Sequence, residues 1–441
     1  MGQPESPLQL KQPQVRLQTT IYNNINSKKD QCIGVFVNIK KIVYIGFLGN
    51  IFEWYDFSVY AFLAPVIGKV FFSSSDPKIS LLKTFFIFSL SFLIRPLGSI
   101  FFGSLGDRVG RAYSLKISLF LMGIPTVLIG LLPTYNSIGI ISVILLIILR
   151  LIQGFAAGGE LPGSACYVYE TSDLKNRSFF CSFIAASAML GVLCGSLVAT
   201  TAFFIFDDRQ MTDFAWRIPF LLGSAILVFL YYVRNQLMDE CFVKKEVAPV
   251  TKLIKNEYKA VLKIIILYAF VQTSFYPLFV WLPSYLNVYL GFSSKTAFSL
   301  GSIGMALLVI FTLLWGYVAK RIGRKKMILF SIISIMLLAY PAFVVFNHKS
   351  LPMILAALFM LALCKGCMDS VMVELMGDSF TSSVRCSGIS ISFTLAAALF
   401  GGTTPTICGY LINKTGYLFS PVILLIVVGI LALPVALSLK E

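Results

Sequence analysis

Two carboxylates interrupt the first long apolar stretch of this 441-residue chain. Glu53 and Asp56 are three residues apart, so a helix places them on one face together with Asn50 and Tyr60. Apolar surroundings disfavour a charged carboxylate, so one of the two acids could hold a proton and release it when water or a cation arrives. The pattern predicts a proton-exchanging site, and a fixed hydrogen-bonded strut between helices is the alternative.

Other charged side chains lie within later apolar stretches. Arg95 precedes Pro96, which can bend a helix and aim the guanidinium at the carboxylates or at a solute. Gln153 and Glu160 are two helical turns apart, and Arg150 before them can neutralise a carboxylate that has lost its proton. A charge at membrane depth is costly, which favours a function in a pathway for each of these residues.

A further charged pair and several aromatic residues extend the candidate site. Lys365 and Asp369 are four residues apart and can pair along one helix. Aromatic side chains can pack around an ammonium group or an apolar solute, and the candidates are Trp54, Tyr55, Tyr60, Phe275, Tyr276 and Trp281. The predicted proton-coupling residues are Glu53, Asp56, Arg150 and Glu160. The predicted solute-binding residues are Asn50, Trp54, Tyr60, Arg95, Gln153, Lys365 and Asp369.

Membrane-spanning helices must position these residues. Hydrophobic residues make up 57% of the chain and charged residues 13%, which is too apolar for a soluble protein of this length. Apolar runs of about 20 residues, the length that crosses a bilayer, recur along the chain. They predict an all-α membrane protein with twelve helices near 42–68, 82–103, 113–133, 137–162, 180–205, 216–234, 262–287, 296–318, 327–346, 351–374, 386–412 and 417–437.

The placement of positive charge predicts the orientation in the membrane. About 25 of the Lys and Arg residues fall in loops on the side of both termini and about 8 on the other side, the asymmetry typical of cytoplasmic loops. The net charge of +16 therefore indicates contact with membrane lipids and not with nucleic acid. The sequence predicts a cytoplasmic tail (1–40), two six-helix halves (41–234 and 262–441) and a cytoplasmic linker (235–261).

Enzymatic and metal chemistry find little support in the composition. The chain has a single histidine and no phosphate-binding loop of the G-x-x-x-x-G-K-[ST] type. Most of the nine cysteines lie in apolar segments, where a thiol behaves as a small hydrophobe. We therefore expect no enzyme activity, no metal and no cofactor.

One loop pattern occurs twice, about half a chain apart. The first copy contains Gly103, Asp107, Arg108, Gly110 and Arg111, and the second contains Gly316, Arg321, Gly323 and Arg324. Glycine allows a short turn at a helix end, and arginine can bond exposed carbonyls or a nearby carboxylate. The repetition predicts two parallel halves and a cytoplasmic latch, which Glu374 and Arg385 are expected to join.

The first loop, G-x-x-x-D-R-x-G-R, resembles the signature of the major facilitator superfamily, and Arg150 to Gly154 resembles its R-x-x-Q-G motif, whose arginine is associated with proton transfer. Several motifs are similar to those of the metabolite:proton symporters, a family that includes the proline/betaine, alpha-ketoglutarate, citrate and shikimate transporters. They are GNIFEWYDF (49–57), RPLG (95–98), QGF and GGE (153–160), WRIPF (216–220) and VRCSG (384–388). The chain departs from the family patterns at Ala112 and Thr381.

The resemblance implies a twelve-helix major facilitator fold and proton-coupled transport of a small solute by alternating access. A zwitterion such as proline or betaine is the expected solute, and an organic acid such as alpha-ketoglutarate, citrate or shikimate is the alternative. A membrane sensor that transports nothing is an alternative of another class. The sequence leaves the solute and the oligomeric state open.

Overall fold

The computed structural model of the chain describes residues 47–72, 76–109, 111–173, 176–237 and 250–439. The predicted tail (1–40) and part of the predicted linker (238–249) lie outside these ranges. The described residues belong to one compact unit that extends from Ile45 to Glu441. Within the described ranges, every regular element is a helix, as the all-α prediction requires.

The first six membrane helices carry most of the predicted site. They are α1 (47–62 and Ala64–Phe71), α2 (Pro77–Leu93 and Arg95–Val109), α3 (Arg111–Leu131), α4 (Ile140–Ala156 and Glu160–Thr171), α5 (Arg177–Ile205) and α6 (Arg217–Leu237). Short helical turns precede α4 (Tyr135–Ile138) and α6 (Asp208–Gln210 and the π-helical Met211–Ala215).

The second six helices follow the linker. They are α7 (Val250–Phe275), α8 (Ser294–Ile322), α9 (Arg324–His348), α10 (Leu351–Asp378), α11 (Arg385–Ala396 and Thr403–Thr415) and α12 (Ser420–Leu437). Helix α7 continues through a π-helical turn (Tyr276–Val280), and a second π-helical turn (Ala397–Gly401) joins the two parts of α11. The segments Leu282–Ser284 and Tyr285–Tyr289 lead to α8.

Nine helices in the described ranges are long and apolar enough to cross a membrane, and a bent pair before and within α6 makes ten. The third predicted span contains a shorter apolar helix, Lys116–Leu131. The first predicted span corresponds to the broken helix α1, which is described from residue 47. The chain is therefore a multi-pass membrane protein.

The two groups of six helices contact each other over several helices. Helices α2, α4 and α5 of the first group contact α8, α10 and α11 of the second. Within this interface, Ser302 of α8 contacts Ser196 and Thr200 of α5 at 2.5 and 3.0 Å. We call the end of the bundle where α2 and α8 end, beside the two basic loops, the basic end.

The ends of helix α9 provide a test of orientation. Lys326 and His348 are exposed and lie near its opposite ends. If the basic end is cytoplasmic, a membrane-impermeant maleimide should label His348→Cys in intact cells and Lys326→Cys only after permeabilisation. The native cysteines are replaced first, so that each signal comes from the introduced thiol. Labelling of Lys326→Cys in sealed cells would reverse the assigned orientation.

Candidate functional site

Asp56 of α1 lies at the centre of a buried hydrogen-bond network. Its two oxygens accept hydrogen bonds from Thr126 Oγ1 of α3 (2.6 Å) and Gln153 Nε2 of α4 (2.7 Å). Arg150 donates to Gln153 Oε1 (2.9 Å) and to Ser91 Oγ of α2 (3.4 Å). Asp56 and Arg150 have no exposed surface. The network therefore places the carboxylate of Asp56 near the guanidinium cation of Arg150, with the amide of Gln153 between them.

Glu53, one turn earlier in α1, pairs directly with Arg95 of α2. Glu53 Oε1 and Arg95 Nη1 are 3.3 Å apart, and both side chains are fully buried. The Arg95 guanidinium also lies over the rings of Phe57 (4.1 Å) and Phe92 (4.0 Å) and near that of Trp54 (5.5 Å). Aromatic faces stabilise a desolvated cation, so this ion pair has favourable surroundings despite its burial.

Close approach of α2 and α4 holds the two arginines in place. A Cβ on Gly98 would lie 1.8 Å from the carbonyl oxygen of Phe155, and one on Gly154 would lie 1.9 Å from that of Ser91. The two backbones are thus in contact, a packing that only glycine permits at these positions. The glycines of the RPLG and QGF motifs serve this packing.

The remaining predicted residues of the first half contact different helices. Asn50 donates to Ser187 Oγ of α5 (3.2 Å), and Tyr60 donates to the carbonyl of Thr84 in α2 (3.1 Å). Glu160 lies beyond the break in α4 and accepts a hydrogen bond from Ser118 Oγ of α3 (3.2 Å). Glu160 is thus in another part of α4 from the Asp56 network.

Lys365 and Asp369 form the ion pair that their spacing predicts. Lys365 Nζ bonds Asp369 Oδ1 within α10, and the side chains are 0% and 2% exposed. Lys365 Nζ also lies 6.0 Å from the ring centre of Phe275 in α7. That ring meets Trp54 of α1 edge-on at 6.5 Å, so the pair lies close to the junction of the two halves.

At the basic end, an ion pair joins α11 to α4 and a hydrogen bond joins α11 to α10. Arg385 Nη1 is 3.2 Å from Glu170 Oε1, and Arg385 Nε donates to the carbonyl of Gly377 (2.9 Å). Cys166, one turn before Glu170, and Cys386, next to Arg385, form a disulfide. The sequence predicts cysteines that act as small hydrophobes, but this pair is a covalent link between the halves, because α4 and α11 bring together residues separated by 220 positions.

The predicted latch residues separate into different contacts. Arg324 pairs with Asp378, at the end of α10, whereas Glu374 accepts a hydrogen bond from Ser178 of α5 (2.5 Å). The sequence predicts that Glu374 and Arg385 join the basic loop before α9. In the structure, Glu374 instead bonds α5, and Arg385 bonds Glu170 of α4 as well as Gly377 of α10, because α10 and α11 face α5 and α4 at this end.

The turn residues of the two basic loops are described only in part. Gly323 has a φ of +90° between α8 and α9, which favours glycine, and Arg321 is exposed beside it. Gly103 is exposed on α2. Outside the described part of the chain lie Gly110 and the side chains of Asp107, Arg108 and Arg111.

Sequence reasoning missed several partners of the predicted residues. Thr126 is an unremarkable hydroxyl in an apolar run, and Glu170 is one of several acids near a helix end. Their importance comes from contacts across 70 and 215 residues. A buried threonine on a helix facing an acid is a weak sequence signal, which only an arrangement of the helices can reveal.

Comparison with known proteins gives a consistent result for the whole described region. A family model described as Major Facilitator Superfamily matches residues 46–311 and 264–441. A putative proline/betaine transporter of Staphylococcus haemolyticus is 32% identical over 400 residues, which is 89% of this chain and 86% of the relative. The proline/betaine transporter of Escherichia coli K12 is 32% identical over 419 residues, with 91% and 84% covered.

Solved structures share the fold. The chain resembles the xylose transporter XylE from E. coli in a partially occluded inward-open conformation, with a TM-score of 0.70, 17% identity, and 91% and 97% of the two chains covered. A D-xylose-proton symporter gives a TM-score of 0.70 at 19% identity, with 90% and 96% covered. At this identity the likeness concerns the arrangement of the helices alone.

Proposed function

The chain belongs to the major facilitator superfamily and is a membrane transporter for a small molecule, and from that premise we propose that it carries a small zwitterion together with a proton. Two relatives are named proline/betaine transporters, which makes proline and betaine the leading solutes. The observation that carries the coupling proposal is the buried network of Asp56, Gln153 and Arg150.

In this proposal, Asp56 exchanges the proton. A protonated Asp56 keeps its two neighbours and removes one negative charge from the core. Arg150 compensates the carboxylate when the proton leaves, through Gln153. Glu53 and Glu160 are the other proposed coupling residues, and the contact of Glu53 with Arg95 relates its charge to the solute site.

The proposed solute site lies between the halves, next to this network. Asn50, Trp54 and Tyr60 contribute from α1, Arg95 from α2 and Gln153 from α4, and Lys365 and Asp369 contribute from α10. Three buried carboxylates are each matched by a buried cation, so the net charge of these groups is zero. The three combinations are Glu53 with Arg95, Asp56 with Arg150, and Asp369 with Lys365. A zwitterion enters such a core without adding net charge, whereas a dicarboxylate adds two negative charges that need compensation.

Alternating access supplies the motion. Contacts between the halves close the basic end, where Arg385 meets Glu170, and contacts such as Ser196 with Ser302 join α5 to α8. When the halves rock, the contacts at the basic end would break while those between α5 and α8 remain, and the reverse motion would exchange the two. We assign the basic end to the cytoplasmic side of the plasma membrane and place both termini on that side. Its basic residues then lie against anionic lipid headgroups.

Uptake into proteoliposomes tests this function. Labelled proline should accumulate above its external concentration when the outside is acidic, and a protonophore should abolish the accumulation, because the proton gradient drives it. Labelled betaine and alpha-ketoglutarate are measured in parallel. Accumulation of alpha-ketoglutarate alone would favour organic-acid symport, and solute binding without any uptake would favour the sensor.

A further inference from the structure

The Lys365–Asp369 pair has hydrogen-bonding capacity that its own contact does not use. Asp369 Oδ2 is buried without a hydrogen-bond partner among the described residues. An ammonium group carries three donors, of which the bond to Asp369 Oδ1 uses one. Buried polar atoms are nearly always bonded, and an exception calls for an explanation. A pair with a purely structural role gives no reason for the unused carboxylate oxygen.

Several buried polar atoms of α1 and α7 share this property. Trp54 Nε1, Gln272 Nε2 and Tyr276 Oη have no hydrogen-bond partner in the part of the chain that the structure describes. A Cβ on Gly401 of α11 would lie 3.3 Å from Gln272 Nε2 and 3.2 Å from the Tyr276 ring. The backbone of α11 therefore packs closely against this edge of α7, and no side chain of residue 401 lies between them.

Aromatic rings connect the pair to the charges of the first half. Phe275 lies between Lys365 Nζ, at 6.0 Å, and Trp54, at 6.5 Å between ring centres. Trp54 is in turn 5.5 Å from the Arg95 guanidinium. The rings of Phe275 and Trp54 thus connect the Lys365–Asp369 pair to the Glu53–Arg95 pair.

We propose that Lys365 and Asp369 select solutes that carry a carboxylate and at least one N–H on a cationic nitrogen, and that they disfavour fully methylated ammonium compounds. This inference rests on the proposed transport of zwitterions, and of the two leading solutes it favours proline over betaine. Lys365 donates to the solute carboxylate, and Asp369 Oδ2 accepts from the solute N–H. Proline, sarcosine and other amino or imino acids satisfy both groups.

Methylation of the solute nitrogen separates this site from an aromatic cage. A quaternary ammonium has no N–H, so it would leave Asp369 Oδ2 buried without a donor. A site governed by Trp54 and Phe275 would instead prefer the quaternary group, because cation–π attraction requires no N–H. A dicarboxylate would bring a second anion toward Asp369, which disfavours it as well.

A methylation series tests the inference. Glycine, sarcosine, N,N-dimethylglycine and betaine carry three, two, one and no N–H, and each is used to inhibit uptake of labelled proline by wild-type proteoliposomes. The half-inhibitory concentration should rise gradually until the last member and then increase by at least about tenfold, the usual effect of one unsatisfied buried group. Betaine that inhibits as well as N,N-dimethylglycine overturns the inference.

An isosteric variant tests whether Asp369 causes the weaker inhibition by betaine. Asp369→Asn should reduce the difference between N,N-dimethylglycine and betaine to less than about threefold, because the buried carboxylate has been removed. Asp208→Asn, which changes an exposed acid, is the matched control and should preserve the difference. An Asp369→Asn protein that folds and retains the full difference contradicts the assignment, and if it does not fold, the wild-type series decides.

The same experiment separates two kinds of failure. Wild-type protein that takes up neither labelled proline nor labelled betaine refutes the proposed zwitterion transport itself. Wild-type protein that accumulates proline but shows no step at betaine refutes only the selection by Lys365 and Asp369.

Discussion

Oxidation that joins Cys166 to Cys386 should stop transport, and reduction should restore it. Cys166 is in α4 and Cys386 in α11, and their Cα atoms are 5.4 Å apart. If the basic end opens when the halves rock, these helices must separate there, and a disulfide does not permit Cα atoms to part beyond about 7 Å. We expect uptake by the oxidised protein to fall at least about tenfold, since a closed basic end blocks every cycle.

Proteoliposomes treated with diamide and then with dithiothreitol provide the measurement. Diamide takes the two thiol hydrogens as the disulfide forms, and a cytosol that reduces thiols would keep the pair open in the cell. Cys166→Ser should make uptake insensitive to diamide. Cys408→Ser, at another buried cysteine, should leave the sensitivity unchanged.

Full transport by the oxidised protein would contradict this prediction. Oxidised protein in which mass spectrometry finds the disulfide, yet which transports at the full rate, would show that α4 and α11 do not separate during the cycle. The Arg385–Glu170 pair would then be a fixed structural contact and not part of a gate.

Helix positions were predictable because the bilayer limits them. A run near 296–318 became α8 (Ser294–Ile322), and a run near 417–437 became α12 (Ser420–Leu437). Helix α4 shows the limit of this reasoning: hydrophobicity predicts one helix near 137–162, whereas the helix breaks between Ala156 and Glu160 and continues to Thr171. The break depends on close packing at glycines, which apolar length does not report.

The buried charges were visible in the sequence, but their partners were not. An acid or arginine inside an apolar run is conspicuous, so Glu53, Asp56 and Arg95 could be selected. Their pairing depends on how each helix is rotated about its axis. Only a pair within one helix, Lys365 with Asp369, has a spacing that predicts its contact.

Replacing Asp56 by asparagine should abolish proton-driven accumulation while solute exchange continues. Asparagine keeps the size of the side chain, and its amide can still bond Thr126 and Gln153, which now surround the carboxylate at 2.6 and 2.7 Å. Asparagine cannot bind and release a proton, so solute transport is no longer coupled to the proton gradient at this position. Arg150 keeps its bond to Gln153 and stays in place.

Two assays on the same purified protein separate coupling from folding. Accumulation under an imposed pH gradient should fall to the equilibrium level in Asp56→Asn, while counterflow without a gradient stays within about threefold of wild type. A carboxylate with only a structural role predicts another pattern, in which both assays weaken together and the ratio of protons to solute is unchanged. Glu53→Gln is the companion variant, because it removes a carboxylate that contacts Arg95 directly. If both variants accumulate solute as far as wild type under the same gradient, neither acid is a required proton site, and the coupling assignment must be abandoned.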